Sequence, residues 1–244
     1  MESNKAVISL SGGLDSTCLL LKLLSEGKEV KAYSFSYGQK HSIELDKVKK
    51  NIEFFQKSGY PVEHQIINLE DVFSDSNSSL HKGGEDIPYG DYKDENMKST
   101  VVENRNVIFS SIIYGKALSW ANKTNENVLI TLGIHAGDHS IYPDCTPESH
   151  EAAKHLFRIS NWGSEKVDYI APFVNLNKDE VLREGIKAME NMGINKKLDY
   201  ILSNTHTCYD PDEQGRSCGK CGSCRERLEA FEKNEIVDPI EYQI

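Results

Sequence analysis

The chain has 244 residues, room for one large domain or one domain with a small appendage, which excludes a long multidomain assembly. Hydrophobic residues make up 38% and charged residues 27%, as in ordinary globular proteins, so disordered and fibrous classes are excluded and a sizeable core is expected. Twenty-eight Lys and Arg against 38 Asp and Glu leave a net charge of −10, a poor footprint for phosphate backbones, so no stable nucleic-acid partner is expected.

In chain order, Ala6 to Leu10 is a short apolar run that ends in Ser11-Gly12-Gly13-Leu14-Asp15-Ser16. Thr17 to Glu26 then carries leucines at helical spacing until Gly27, which predicts strand, glycine loop and helix. Val30 to Phe35 predicts a strand, Ile43 to Lys57 an amphipathic helix stopped by Ser58-Gly59, and Val62 to Asn68 another strand. Residues 74 to 100 are polar and predict a long surface loop or lid. A buried helix over Val107 to Asn122, a strand over Val128 to Gly133, a helix near Glu148 to Phe157, a strand over Val167 to Ala171 and a helix over Asp179 to Met192 capped by Asn177 follow. After about residue 202 the periodicity gives way to a cysteine-rich tail. Alternating strands and helices predict an α/β fold with a parallel sheet over 1–202 and a C-terminal segment, 203–244, packed on it. No apolar run approaches the roughly 20 residues of a membrane span, and the opening segment is too short for a secretory apolar region, so no membrane partner and a cytoplasmic location are expected.

Two constellations carry chemistry. A glycine-rich turn between strand and helix offers backbone N–H groups and a positive helix end to phosphate. Here Ser11 and Ser16 add hydroxyls, Gly12 and Gly13 permit close approach, and Asp15 is a candidate to hold Mg²⁺ or to fix the loop. No lysine follows the glycines, so this is not the phosphate loop of kinases and GTPases. The second constellation is Cys208, Cys218, Cys221 and Cys224, with nine, two and two residues between successive members. Four thiolates so spaced, in a chain read as cytoplasmic, predict a closed tetrahedral Zn²⁺ site of structural type. His206 competes as a ligand only weakly with a hydrogen-bonding role. His135 and His139 share i, i+4 spacing, but Gly137 interrupts them, which favours a polar site loop over a second metal centre. Cys18 reads as core, and Cys145 faces the site with no sign of being a nucleophile.

The SGGLDS string resembles the pyrophosphate loop of the PP-loop ATP pyrophosphatase superfamily, a Rossmann-like fold of the adenine nucleotide alpha hydrolase kind. Together with SYGQKH at 36–41, TVVxxRN at 100–106, GxxxxD at 133–138, YPDC at 142–145 and TCY followed by CGKCGSCRER at 207–227, the chain resembles the 7-cyano-7-deazaguanine synthase (QueC) family. That resemblance implies an ATP-dependent carbon–nitrogen ligase of queuosine or archaeosine-type deazapurine biosynthesis. It would convert 7-carboxy-7-deazaguanine and ammonia to the nitrile through an adenylated carboxylate and an amide, with ATP, Mg²⁺ and Zn²⁺ as cofactors and a homodimer as the assembly. Leu10, Ser11, Gly12, Gly13, Leu14, Asp15, Ser16 and Thr17 would frame the nucleotide, and Asp15, Ser16, Arg105 and Lys178 would act in catalysis. Arg105, Asn106, Asp138, Tyr142 and Asp144 would meet the deazaguanine. Arg105 as a helix-start charge, Asp144 as a turn residue, Lys178 as a solvent lysine and Tyr142 as a core ring stay open as alternatives. The chain departs from the family pattern at Glu103, where proline is common, at Thr146, where arginine is usual, and at Ser149, where an aromatic is usual. Competing functions are a paralogue that stops at the amide or couples the deazaguanine to a protein amine in phage defence, a tRNA-modifying PP-loop enzyme, and a zinc-bearing nucleotide sensor.

Overall fold

The computed structural model describes residues 2–40, 43–90, 98–135 and 142–243. Five strands, β1 (Lys5–Ser9), β2 (Glu29–Ser36), β3 (Val62–Asn68), β4 (Val128–Thr131) and β5 (Val167–Ile170), form one sheet in the order β3-β2-β1-β4-β5. Every pairing is parallel. A parallel sheet covered on both faces needs strands apolar on both sides, and Ala6, Val7 and Ile8 of central β1 are fully buried. Sequence order reverses between β1 and β4, so the crevice beyond their carboxyl ends is where an open α/β sheet binds ligands.

On one face of the sheet lie α1 (Leu14–Ser25), α2 (Ile43–Lys57) and α5 (Lys178–Asn191); on the other lies α3 (Arg105–Thr124), joined by Phe157 of α4 (Pro147–Ser160). Gly185 allows α5 to approach α1 closely, since a Cβ there would stand 2.5 Å from Cys18 Sγ. Cys18 is core, as its place in the leucine helix predicts. Asn177 and Glu180 form a capping box at the start of α5, with Glu180 Oε2 accepting from Asn177 N at 2.8 Å. No helix among the described residues is long and apolar enough to cross a membrane.

The tail holds more structure than its lost periodicity suggests: α6 (Leu198–Ser203) precedes the cysteines, and α7 (Gly222–Lys233) starts among them. Ala230 and Phe231 of α7 enter the same core as α1 and α5. Arg227, fully buried, donates from Nε and Nη2 to Asp238 at 2.6 and 2.9 Å and from Nη1 to Thr205 Oγ1 at 2.7 Å. A bidentate pair with further hydrogen bonds is the arrangement that a buried guanidinium requires. Within the polar stretch after β3, Ser79 N donates to Ser99 O at 2.8 Å, Lys82 N to Gly38 O at 2.8 Å, and Gly90 N to Lys220 O at 3.0 Å. The described part of that stretch is therefore tied to the β2–α2 connection and to the tail.

Candidate active site

The glycine loop occupies the switch point between β1 and α1. Gly12 has φ +91, and a Cβ on it would stand 2.6 Å from Glu44 O, so position 12 demands glycine on both counts. Ser11 Oγ and Ser16 Oγ share a hydrogen bond of 3.1 Å, and Gly13 N donates to Ser11 Oγ at 3.2 Å. Ser11, Gly13, Asp15 and Ser16 line a cleft of about 590 Å³. Leu10, Gly12, Leu14 and Thr17 shape the loop from behind: Leu10 and Leu14 are core, and Thr17 Oγ1 closes the first turn on Gly13 O at 2.8 Å. Gly133, just past β4, closes the other side, since a Cβ would stand 3.0 Å from Ser16 N.

A cluster of charge sits at the loop's mouth. Lys178, the first residue of α5, donates from Nζ to Asp15 Oδ2 at 2.6 Å and lies 3.6 Å from Glu226 Oε2. His135 Nε2 is 3.5 Å from Lys178 Nζ, 3.7 Å from Asp15 Oδ2 and 3.9 Å from Glu226 Oε1. Lys178 is only 7% exposed, which sets aside the solvent-lysine alternative. Burial works against the charged form of both Asp15 and Lys178, yet their mutual attraction prevails: Asp15 is held below the usual carboxylate range and Lys178 above the usual lysine value. Asp15 Oδ1 is buried with no hydrogen-bond partner among the described residues, an orphaned oxygen suited to a cation. Glu226 escaped sequence reasoning; its one signal was its place in the arginine-flanked run directly after Cys224.

Across the cleft, Arg105 begins α3 and donates from Nη1 to Tyr37 OH at 3.1 Å, its guanidinium 5.4 Å from that ring's centre. Phe35 and Phe109 stack at 3.9 Å beside them. Tyr142 OH and Thr100 Oγ1 share a hydrogen bond of 2.7 Å, and Asn106, Asp144 and Cys145 complete this side. Burial pushes the Cys145 thiol up to about 12, with the Asp144 carboxylate reinforcing it, so sulfur stays protonated. Asp138 and His139 lie outside the described residues. Glu44 and Gln39, not singled out from sequence, also line the cleft, with Gln39 Nε2 donating to Glu44 Oε1 at 3.1 Å. Of the three departures from the family pattern, exposed Glu103 accepts with Oε2 from Ser76 Oγ at 2.7 Å, and Thr146 caps α4 by accepting from Ser149 N at 3.1 Å.

The four cysteines meet in the tail. All four sulfurs lie within 4.8 Å of one another, and Cys218 and Cys224 are 3.9 Å apart. Tetrahedral zinc at about 2.3 Å from each sulfur places the sulfurs about 3.8 Å apart, so the donor set and spacing fit such an ion. Backbone N–H groups of Asp210 and Cys218 donate to Cys208 Sγ at 3.3 and 3.1 Å, and those of Lys220 and Cys221 to Cys218 Sγ at 3.4 and 3.3 Å. His206 stands apart, its Nε2 donating to Cys208 O at 3.0 Å, while its backbone N donates to Gly12 O at 2.8 Å. The cysteine segment thus touches the glycine loop directly.

Residues 5–235 match the model of the queuosine biosynthesis protein QueC family. The chain is 43% identical over 240 residues to a 7-cyano-7-deazaguanine synthase of Pseudoalteromonas atlantica, covering 98% of this chain and 99% of the relative. It is 41% identical over 240 residues to the protein of that name from Caldicellulosiruptor saccharolyticus, covering 98% and 96%. A 7-cyano-7-deazaguanine synthase of Methanoregula boonei is 41% identical over 241 residues, covering 98% and 99%.

Proposed function

The chain belongs to the queuosine biosynthesis protein QueC family, and we propose on that footing that it carries out the ATP-dependent conversion of 7-carboxy-7-deazaguanine and ammonia to 7-cyano-7-deazaguanine. The observation that carries the reading is the meeting, in one switch-point cleft, of the glycine loop with its Asp15–Lys178 pair and a facing wall of Arg105, Tyr37, Phe109 and Tyr142. One side suits polyphosphate, the other a flat anionic base.

In the first step a carboxylate oxygen of the substrate attacks the α-phosphorus of ATP, and pyrophosphate leaves. The N-terminal turn of α1 and the Ser11 and Ser16 hydroxyls receive the departing phosphates, and Lys178 supplies positive charge where negative charge accumulates. Asp15 aims Lys178 in the resting site; with ATP bound, its orphaned Oδ1 would hold Mg²⁺, an ion that neutralises phosphate charge. Arg105, fixed by Tyr37, orients the substrate carboxylate with a planar donor fork. Ammonia then attacks the acyl carbon, AMP leaves and the amide forms. The amide oxygen then attacks the α-phosphorus of a second ATP with release of pyrophosphate, and loss of AMP with two protons from nitrogen leaves the nitrile. Both halves depend chiefly on holding reactants in line and on countering charge. Asn106, Tyr142, Asp144 and Asp138 serve the base in this scheme.

Cys208, Cys218, Cys221 and Cys224 would hold a structural Zn²⁺ that fixes the 203–244 segment against the 1–202 nucleotide-binding unit. The working form is a homodimer in the cytoplasm. Leu156, Ile159 and Trp162, at 53%, 67% and 99% exposure, give one end of α4 and the turn after it an apolar face suited to self-association. The test of the reaction is incubation with 7-carboxy-7-deazaguanine, ATP, Mg²⁺ and ammonium, followed by mass spectrometry. The nitrile is expected; an amide end product, or no product, overturns the assignment.

A further inference from the structure

We propose that Glu44 selects the base: its carboxylate, aimed into the cleft by Gln39, accepts the adjacent N1–H and 2-amino hydrogens of the deazaguanine. This rests on the reaction proposed above and names the group that recognises its substrate. Glu44 sits in the first turn of α2, and its backbone oxygen packs against Gly12, so the carboxylate is carried on a fixed support beside the glycine loop. Its Oε1 accepts from Gln39 Nε2 at 3.1 Å. Gln39 is itself buried and locked, with its Oε1 accepting from Tyr37 N at 2.8 Å and its Nε2 also donating to Phe35 O at 3.2 Å. A buried amide held at two backbone points and pinning one carboxylate with its remaining N–H is a positioning device.

The carboxylate so held forms no ion pair among the described residues. Arg105, the guanidinium of the same cleft, donates to Tyr37. Burial accordingly pushes the Glu44 carboxyl up to about 7, as befits an acceptor short of donors. The chemistry of the missing donors follows from the geometry of a carboxylate. Two acceptor oxygens side by side match two N–H groups side by side, which is the Watson–Crick edge of a guanine-type base. The adenine of ATP shows one donor beside one acceptor there, so a carboxylate gains one hydrogen bond and meets a lone pair with its other oxygen. Phe35, Phe109 and Tyr37 supply the aromatic surface for a flat ring.

The test is calorimetric titration of 7-carboxy-7-deazaguanine, and of the same compound lacking the 2-amino group, into the wild-type chain, E44Q and E44A, with ATP titrated in parallel and folding followed by circular dichroism. Loss of a charge-assisted hydrogen bond predicts that wild type binds the amino compound roughly tenfold or more tightly than its analogue. Both variants should lose that preference while keeping their ATP affinity. Equal binding of the two compounds by wild type overturns the proposal without recourse to any variant. A preference that survives in E44Q and E44A overturns it too, and a variant whose ATP affinity falls instead assigns Glu44 to adenine. Turnover in the wild type is scored separately: base binding without nitrile formation defeats the reaction and leaves the comparison of the two compounds decisive for Glu44.

Discussion

Glu226 Oε2 lies 3.6 Å from Lys178 Nζ, and Asp15 Oδ2 accepts from the same ammonium at 2.6 Å. A carboxylate from the cysteine-bearing tail and one from the glycine loop thus share a single buried lysine. Glu226 stands on α7 two residues past Cys224, so whatever orders the four sulfurs also sets where this carboxylate points.

Metal removal should therefore reach the chemistry. Freshly purified protein is expected to contain one zinc per chain by elemental analysis. Chelation should lower the thermal midpoint and abolish pyrophosphate release together, because α7 contributes to the main core and His206 N holds Gly12 O. Glu226→Gln separates the two effects. It should retain zinc and fold while lowering kcat roughly tenfold, about 1.4 kcal/mol on the barrier, because the lysine proposed to counter phosphate charge loses one of its two carboxylate partners. Zinc-free protein with full activity would refute the coupling.

The loop should govern adenylation. Asp15→Asn removes the partner of Lys178 at little change in volume, and Ser16→Ala removes a hydroxyl 3.1 Å from Ser11 Oγ. Both are expected to suppress AMP formation by roughly 10²-fold or more, in line with the loss of a preorganised donor or of the group that aims one. Asp15→Asn also leaves Lys178 buried beside a neutral amide, so its thermal midpoint should fall further than that of Ser16→Ala. Quantifying AMP alongside thermal melts checks both, and an unchanged AMP yield in the two variants removes the loop from the mechanism.

The strand, glycine loop and helix of the first unit were legible because leucines repeat at helical spacing between glycines, and the helix over Ile43–Lys57 and the strand over Val62–Asn68 have the bounds their patterns predict. The strand expected to reach Gly133 ends at Thr131, because the chain there must turn onto Ser16. Helix α7 was hidden for a different reason. Its buried residues are Gly222, Ser223, Cys224, Arg227, Ala230 and Phe231, so only the last two are the apolar side chains that normally signal a core helix. The Lys178–Asp15 pair joins elements far apart in the chain, and no local pattern announces such a meeting. Glu226 and Glu44 were invisible in the same way: each is one acid among 38 Asp and Glu until the fold brings it to the cleft.

Glu44 is expected to make the stability of the resting protein fall as pH rises. Burial raises its carboxyl from the ordinary 4.5 to about 7, against the opposing pull of Gln39 and Arg105, so the folded chain holds that proton more tightly than the unfolded one. Such a group contributes stability that is fully present below about pH 4.5 and is lost as pH rises through about 7. Glu44→Gln removes the dependence. Its thermal midpoint should exceed that of the wild type at pH 8 by roughly 2–4 °C for each kcal/mol recovered, and the gap should close near pH 4.5. A gap that widens toward acid would show that the carboxylate is stabilised, not strained, by its surroundings.

The nitrogen donor is expected to be free ammonia. A glutamine-dependent enzyme needs a cysteine nucleophile, and the six cysteines leave little choice: four cluster in the tail, and Cys18 is buried in α1 against Gly185. Cys145 remains, and its environment opposes the thiolate. Burial and the adjacent Asp144 push its thiol up to about 12, and its Sγ donates to Asp144 Oδ1 at 3.7 Å, whereas a nucleophilic cysteine needs a cationic neighbour that lowers its pKa. Only neutral ammonia attacks an adenylate, so at limiting total ammonium the rate should rise with pH toward the ammonium pKa while the fold persists. Cys145→Ser should leave the rate with ammonium within about twofold of wild type, since a protonated thiol and a hydroxyl present similar groups to the pocket. Full activity with glutamine alone, in preparations free of glutaminase, together with its loss in Cys145→Ser, would contradict this and make Cys145 the nucleophile.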